Sequence, residues 1–445
     1  MSTLVKSLFD RSVALTAASG FFAQLLRPAS SLLIVPLIMN RFGIEGFGVW
    51  VVVLSFMGVL GFYNNGIGEI IIYRISAIDV ERDRERARDE IADIVVFTVL
   101  VASILLLIVS PVIYVVNWAD ILNVEDPVLA RDANRSIFYL FLLVNFGYLS
   151  NIPRFVMIGM QKGYLYHSIE AIYLLAGLAA IFVATFFSFS LSQTACLFIG
   201  AQLLVLTVLG FAFLARAGLL SLRVSITGAS FRYYFANSYK MSLFQLSNSL
   251  SSDSDSFLIS MVLGPEAVSA YAVAQRLFAL PNIAVTMINQ AVWPRLNNLK
   301  AAYAMDKVIR AIGIAFLFTA VMLSGYILLL TFNYDTILNF WIGEVEEMPG
   351  KDWNLLIGMS LYLYVFTAVR YMESIIKSTG DFVFIMRASI LYMIVKISLA
   401  FFLLQTYGVA GAIFGTVLGL ATCKILLYTV FVNRMRSSAA PPPAA

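Results

Sequence analysis

Apolar residues run through this chain in long blocks separated by short polar stretches. Twelve blocks stand out, at 13–39, 47–73, 92–117, 136–160, 164–188, 193–215, 233–262, 267–293, 308–332, 354–376, 384–405 and 408–432. Each is near the ~20 residues that cross a hydrocarbon core as a helix. Short alternating segments, the mark of a membrane β-barrel, do not occur. The pattern therefore predicts an all-α polytopic membrane protein with 12 transmembrane helices. Between blocks two and three, residues 79–90 alternate acid and base and predict a solvated helix with intrahelical ion pairs. The Ser/Ala/Pro-rich end of the chain predicts a disordered tail.

Charges between the blocks set an orientation. With the N-terminus in the cytoplasm, Arg74, Arg82, Arg84, Arg86 and Arg88 follow block two on the cytoplasmic side, and Arg216, Arg223 and Arg232 follow block six. The opposite side carries only Arg41, Arg131, Arg135 and Lys351. An excess of Lys and Arg marks the cytoplasmic face, so both termini are expected there. Trp118, Trp341 and Trp353 fall at the outer boundary, as interfacial aromatics do.

The blocks also repeat. A shift of 221 residues lays Phe42-Gly43-Ile44-Glu45 on Leu263-Gly264-Pro265-Glu266, Trp50 on Tyr271, Arg74 on Arg295 and Gln24 on Gln245. Arg27 falls on Asn248. Late in the halves Gly163 falls on Gly380. Six spans per half is an even number, which predicts a parallel 6+6 repeat. Transporters use such repeats to expose a site between the halves to each side in turn. The expected division is an N-terminal six-helix lobe at 1–216, a cytoplasmic linker at 217–232, a C-terminal six-helix lobe at 233–434 and the tail at 435–445.

Composition narrows the class further. Of 445 residues, 60% are hydrophobic and 13% charged, against roughly 25% charged in a soluble domain. A soluble enzyme, a disordered chain and a nucleic-acid binder are excluded. Cys196 and Cys423 both lie inside apolar blocks and form no disulfide framework and no metal site. No Walker loop, HExxH or GxSxG is present, so neither a cofactor nor an enzyme activity is expected.

The chemistry lies in charges within the apolar blocks: Arg27, Arg154, Lys240, Arg276, Arg370, Lys396 and Lys424, with Glu69, Glu170, Asp253, Asp255 and Glu373. Each basic residue costs about 2.5–3.5 kcal/mol at a bilayer centre, so most must face protein, a wet cavity or the headgroups. Arg154, Lys240 and Arg370 are close enough to an end to snorkel, and Arg370 can pair with Glu373 at i, i+3. Arg27, Arg276 and Lys396 are too deep for that and read as cavity-lining, with a buried ion pair as the other reading. Pro28 and Pro36 predict a bend in the first span, and Gln24 shares a face with Arg27. Span seven is serine-rich from Ser247 to Ser256 and carries Asp253 and Asp255. Serines favour close helix packing, but two carboxylates two residues apart suit a H⁺ or Na⁺ site better, with plain cavity lining as the other reading. The polar patches Asn64-Asn65-Gly66-Ile67-Gly68-Glu69 and Asn289-Gln290 read as interhelical hydrogen bonding or sugar contact. His167, at the start of span five, reads as an interfacial residue.

One stretch resembles a known family. Pro36-Leu37-Ile38-Met39-Asn40-Arg41-Phe42-Gly43-Ile44-Glu45-Gly46-Phe47-Gly48-Val49-Trp50 with Gly61-Phe62-Tyr63-Asn64-Asn65-Gly66-Ile67-Gly68 is similar to the start of Wzx-type polysaccharide flippases, in the superfamily of MATE exporters and lipid II flippases. The resemblance implies a bacterial inner-membrane protein that moves an undecaprenyl-pyrophosphate-linked oligosaccharide, O-antigen or a related repeat unit, from the cytoplasmic to the periplasmic leaflet by alternating access. It implies H⁺ or Na⁺ as the coupling ion, and a polysaccharide polymerase with its chain-length machinery as partners. It implies cationic cavity residues on spans one and eight, which Arg27 and Arg276 match in position; the residues themselves add Lys396, Gln24 and Asn248 as further expected cavity residues and Asp253 and Asp255 as the expected coupling pair. Guanidinium suits pyrophosphate independently, because it pairs bidentately with phosphate oxygens. The competing reading is a MATE-like cation-coupled exporter of organic cations, which would need an acidic, aromatic cavity.

Overall fold

A computed structural model describes residues 11–221, 227–289, 305–343, 351–379 and 381–438. Among them nearly everything is helical and no strand occurs. The helices are α1 (Arg11–Leu60), α2 (Phe62–Ser76), α3 (Arg84–Val115), α4 (Trp118–Ile121), α5 (Pro127–Ser150), α6 (Ile152–Gly159), α7 (Gly163–Phe186), α8 (Leu191–Arg216), α9 (Gly228–Leu263), α10 (Pro265–Ala279) and α11 (Asn282–Asn289). They continue with α12 (Met305–Phe332), α13 (Tyr334–Ile342), α14 (Trp353–Thr379), α15 (Phe382–Tyr407), α16 (Val409–Gly419) and α17 (Leu426–Ser438).

Among the described residues nine helices are long and apolar enough to cross a membrane, or ten if α10 and the bent α11 form one span. Two expected spans fall outside that count for physical reasons. The second joins the first across Gly43 in a single apolar stretch, Ala18–Leu60. The seventh, α9, is too polar, because its serines and aspartates dilute the apolar run. The chain is a multi-pass membrane protein.

Local sequence explains where the helices start. The Asp126 side chain accepts from Val128 N and Leu129 N, with Pro127 at the first helical position of α5. Ser190 and Gln193 form a reciprocal capping box on α8. Asp83 caps α3 and Asp381 caps α15. Around residues 79–90 the expected helix begins only at Arg84. Arg82 pairs with Asp79 at 3.4 Å in the preceding turn. Glu90 bonds outside its own helix: Arg74 Nε and Nη2 each donate to it at 2.6 Å, and so does the Tyr234 hydroxyl at 2.6 Å.

Helix α1 is broken at a position the prolines do not mark. Its backbone stays helical through Pro28 and Pro36, and the break falls at Gly43 (φ 73°, ψ −176°). Gly264, the repeat partner of Gly43, adopts the same conformation (φ 87°, ψ 168°). A positive φ joined to an extended ψ belongs essentially to glycine, so a single residue makes each connection. Two further pairs of positive-φ positions recur, Asn123 with Gly343 and Ser188 with Gly408, each 220 residues apart, while Gln161 and Gly218 have no such counterpart among the described residues.

Two compact units result, Met1–Ser249 and Leu250–Ala445, and the division falls inside α9. In the first, α1 packs on α7, α7 on α8, α8 on α5 and α5 on α3. The start of α9 belongs to this unit: Tyr234 is buried in the cluster of Ile67, Ile71, Ile91, Phe97 and Phe155. Gly66 presses against Ser242, where an added Cβ would lie 2.7 Å from the Ser242 backbone. In the second unit, α15 packs on α16, and α14 contacts α16, α12 and α10. A six-residue π-helix, Leu420–Ile425, joins α16 to α17. Most of the expected linker, 217–221 and 227–232, is described, while 222–226 lie outside the described residues. So do Arg295, Gln290, Gly380 and most of the expected tail, although α17 runs on to Ser438.

Candidate functional site

In the first unit, α1 carries Arg27 and α7 carries Glu170. Arg27 donates to Glu170 Oε1 from Nε at 2.7 Å and again from Nη2. Glu170 is an ionised acceptor here, so His167 Nδ1, one helical turn away, donates to its other oxygen at 3.0 Å. The carboxylate is 1% exposed and the arginine 54%. Glu170 is thus sealed and doubly held, while the outer edge of the guanidinium faces away from it. A guanidinium has five N–H donors, and this arrangement leaves Nη1 for another anion. Gln24, one turn before Arg27, is half-buried. Arg154 sits over the rings of Tyr166 and Phe155, at 4.8 and 5.2 Å.

In the second unit, Lys396 of α15 and Asp255 of α9 form an ion pair of 2.9 Å, with side chains 1% and 5% exposed. Lys396 also donates to the Ser251 carbonyl and stands 3.5 Å from Ser254 Oγ. The other carboxylate oxygen of Asp255 accepts from the Tyr271 hydroxyl at 2.8 Å and from Thr416 Oγ1 at 3.3 Å. Asp253, two residues away, is half-buried. Of the expected cavity residues, then, Lys396 is joined to Asp255, one of the expected coupling acids. Arg276 is half-buried on α10, with Nη1 donating to the Ala272 carbonyl at 3.3 Å. Asn248 is half-buried on α9, before the unit boundary.

One expected pair does not form. Arg370 donates to Thr286 Oγ1 at 3.1 Å, and Glu373 pairs instead with Lys377 at 2.9 Å. The i, i+4 lysine wins because its ammonium reaches the carboxylate along the helix, while Arg370 turns to a neighbouring helix. Three partners are missed from sequence alone: His167 as the second donor to Glu170, and Tyr271 and Thr416 as donors to Asp255. The spacing of His167 and Glu170, i and i+3 on one helix face, was a usable signal for the first. Tyr271 and Thr416 are far from Asp255 in sequence and gave none.

Known proteins resemble this chain in sequence and fold. A Shigella flexneri protein named "Putative O-antigen transporter" is 25% identical, over 83% of this chain and 86% of its own length. Among solved structures, an inward-facing multidrug resistance MATE family transporter of the MOP superfamily superposes with a TM-score of 0.77 at 13% identity, covering 95% of this chain and 100% of its own. The lipid II flippase MurJ in an inward closed conformation gives 0.69 at 14% identity, covering 94% of this chain and 87% of its own. The fold is therefore that of the MOP superfamily, and each of these proteins is named a transporter or a flippase. The family described as "Polysaccharide biosynthesis protein" matches residues 11–300; with well over half of its length matched, the chain belongs to that family.

Proposed function

We propose that this protein is a flippase, not an enzyme, and that it carries undecaprenyl-pyrophosphate-linked oligosaccharides from the cytoplasmic to the periplasmic leaflet of a bacterial inner membrane. Twelve spans in a parallel 6+6 arrangement, with both termini cytoplasmic, give the framework. The recurrence of positive-φ turns at Gly43 and Gly264, Asn123 and Gly343, and Ser188 and Gly408 supports it. The observation that carries the reading is Arg27: a guanidinium deep in an apolar helix, anchored on one edge by a sealed glutamate and open on the other. Such a group meets the diphosphate of a lipid-linked sugar with a preorganised, low-dielectric donor set. Arg276 supplies a second guanidinium, with Gln24 and Asn248 as neutral donors toward sugar and phosphate. Alternating access moves the headgroup while the lipid tail stays in the bilayer, and cation coupling runs through the Asp253–Asp255 stretch of α9.

The exporter of organic cations is the weaker reading on electrostatic grounds. It needs uncompensated negative charge, and Asp255, its best carboxylate, is neutralised by Lys396 at 2.9 Å. The deciding experiment is complementation of a strain lacking its repeat-unit flippase, with surface polysaccharide as the readout and membrane levels matched by immunoblot. Wild type is expected to restore polysaccharide, and Arg27→Ala and Arg276→Ala to fail. Rescue by both variants would sink the phosphate roles of the two arginines. Failure of well-expressed wild type in hosts with several different repeat units, together with efflux of an organic cation, would move the assignment to the exporter.

A further inference from the structure

The oxygen set around the Lys396 ammonium is what a hard monovalent cation would choose. One helix, α9, supplies a carboxylate oxygen of Asp255 at 2.9 Å, the backbone carbonyl of Ser251, and the hydroxyl of Ser254 at 3.5 Å. Carboxylate, carbonyl and hydroxyl are the ligands that oxygen-seeking cations take, and a helical carbonyl keeps a second lone pair for the purpose. The far oxygen of the carboxylate is occupied by Tyr271 and Thr416. One carboxylate oxygen thus meets the ammonium at ion-pair distance without a formal hydrogen bond, the other accepts two hydroxyls, and the lysine is the only positive charge paired with it among the described residues.

The backbone fixes where that ammonium arrives. Helices α15 and α16 approach at glycine contacts: a Cβ on Gly415 would lie 2.5 Å from Ala400 N, and one on Gly419 would lie 3.3 Å from Lys396 Cα. The lysine stem therefore starts from a fixed point, and its side chain is 1% exposed. An ammonium delivered to one buried carboxylate by two close-packed helices is not a snorkelling charge.

We propose that Lys396 is a tethered counter-cation. It fills from within the protein a seat whose chemistry suits an alkali ion, so that transport needs no Na⁺ at Asp255 and coupling through the Asp253–Asp255 stretch falls to Asp253. The consequence for transport rests on the flippase reading above; the seat itself is a property of the second unit and is tested without substrate.

Purified full-length wild type, Lys396→Ala, Lys396→Gln and the double variant Lys396→Ala/Asp255→Asn would be melted in detergent in NaCl, KCl or choline chloride at equal ionic strength. Wild type is expected to melt at one temperature in all three salts. Each single variant should melt lower in choline and regain about 2 °C or more, saturably, in Na⁺ or K⁺ as the free ion takes the vacated seat. The double variant, without the carboxylate charge, should lose that response. A Na⁺-specific rise in wild type would overturn the proposal. So would the absence of an alkali response in folded Lys396→Ala and Lys396→Gln. Failure of both to yield folded protein in any of the salts would overturn it too, since a free ion would then be no substitute for the ammonium. Loss of the flippase assignment in complementation leaves these melting curves unaffected, so the two failures are distinguishable.

Discussion

Each unit buries a carboxylate against a cation, and the two do it in opposite ways. In the first unit Glu170 is sealed and Arg27 is half open, at 1% and 54% exposure. In the second, Lys396 and Asp255 are both sealed, at 1% and 5%. An open guanidinium can keep its anchor and accept a second anion on its free edge. A sealed ammonium can do neither without opening the helices around it. On the proposed function the first pair meets an anion from outside the protein, while the second holds a fixed charge inside it.

The contrast is broken most sharply from the sealed side. Asp255→Ala leaves the lysine charge buried and unpaired, and should lower stability by about 3–5 kcal/mol. Replacing both partners by leucine should cost far less, and equal losses in thermal denaturation would show that the pair is not the cause. Tyr271→Phe removes one hydrogen bond to a charged, buried acceptor and should cost about 1.5–3 kcal/mol in the same assay. Arg27→Ala should cost only about 1 kcal/mol, because one partner is half exposed and His167 still holds Glu170. Its effect belongs in function: surface polysaccharide should vanish while the melting temperature barely moves, and a large drop in melting temperature would make Arg27 a structural residue. The smallest change is Thr416→Val, which loses one long contact of 3.3 Å and should cost about 0.5 kcal/mol.

Much of the fold was legible because the bilayer imposes it. A hydrocarbon core demands apolar runs of a set length, so the helices could be read from 13–39 through 408–432. The Gly43 and Gly264 register was legible too, because only glycine tolerates that backbone and the surrounding residues repeat. The pairing of charges was not. Arg27 and Glu170 are 143 residues apart and Lys396 and Asp255 are 141 apart, and nothing local links them. Local spacing even misled at Arg370 and Glu373, where an equally local lysine competed for the same carboxylate. The π-helix at Leu420–Ile425 was also hidden, since one extra residue in a turn leaves no mark in an apolar run. The glycines of Asn64–Glu69 looked like part of a polar patch, but Gly66 is there for contact with the Ser242 backbone.

The turn at Gly43 bears on how the chain is made. Ala18–Leu60 contains 43 residues, about 65 Å of helix at 1.5 Å per residue, or about twice the hydrocarbon thickness. In the proposed twelve-span arrangement its two arms would cross the membrane in opposite directions with a single residue between them. A connection that short gives no slack for one arm to settle before the other has been synthesised. On that arrangement both arms would leave the insertion machinery together, as a preformed helical hairpin, and the stretch after Gly264 would enter in the same way. A few extra residues inserted at either glycine would uncouple the arms during synthesis, and topology errors at these two turns would then appear before any loss of stability in the finished protein.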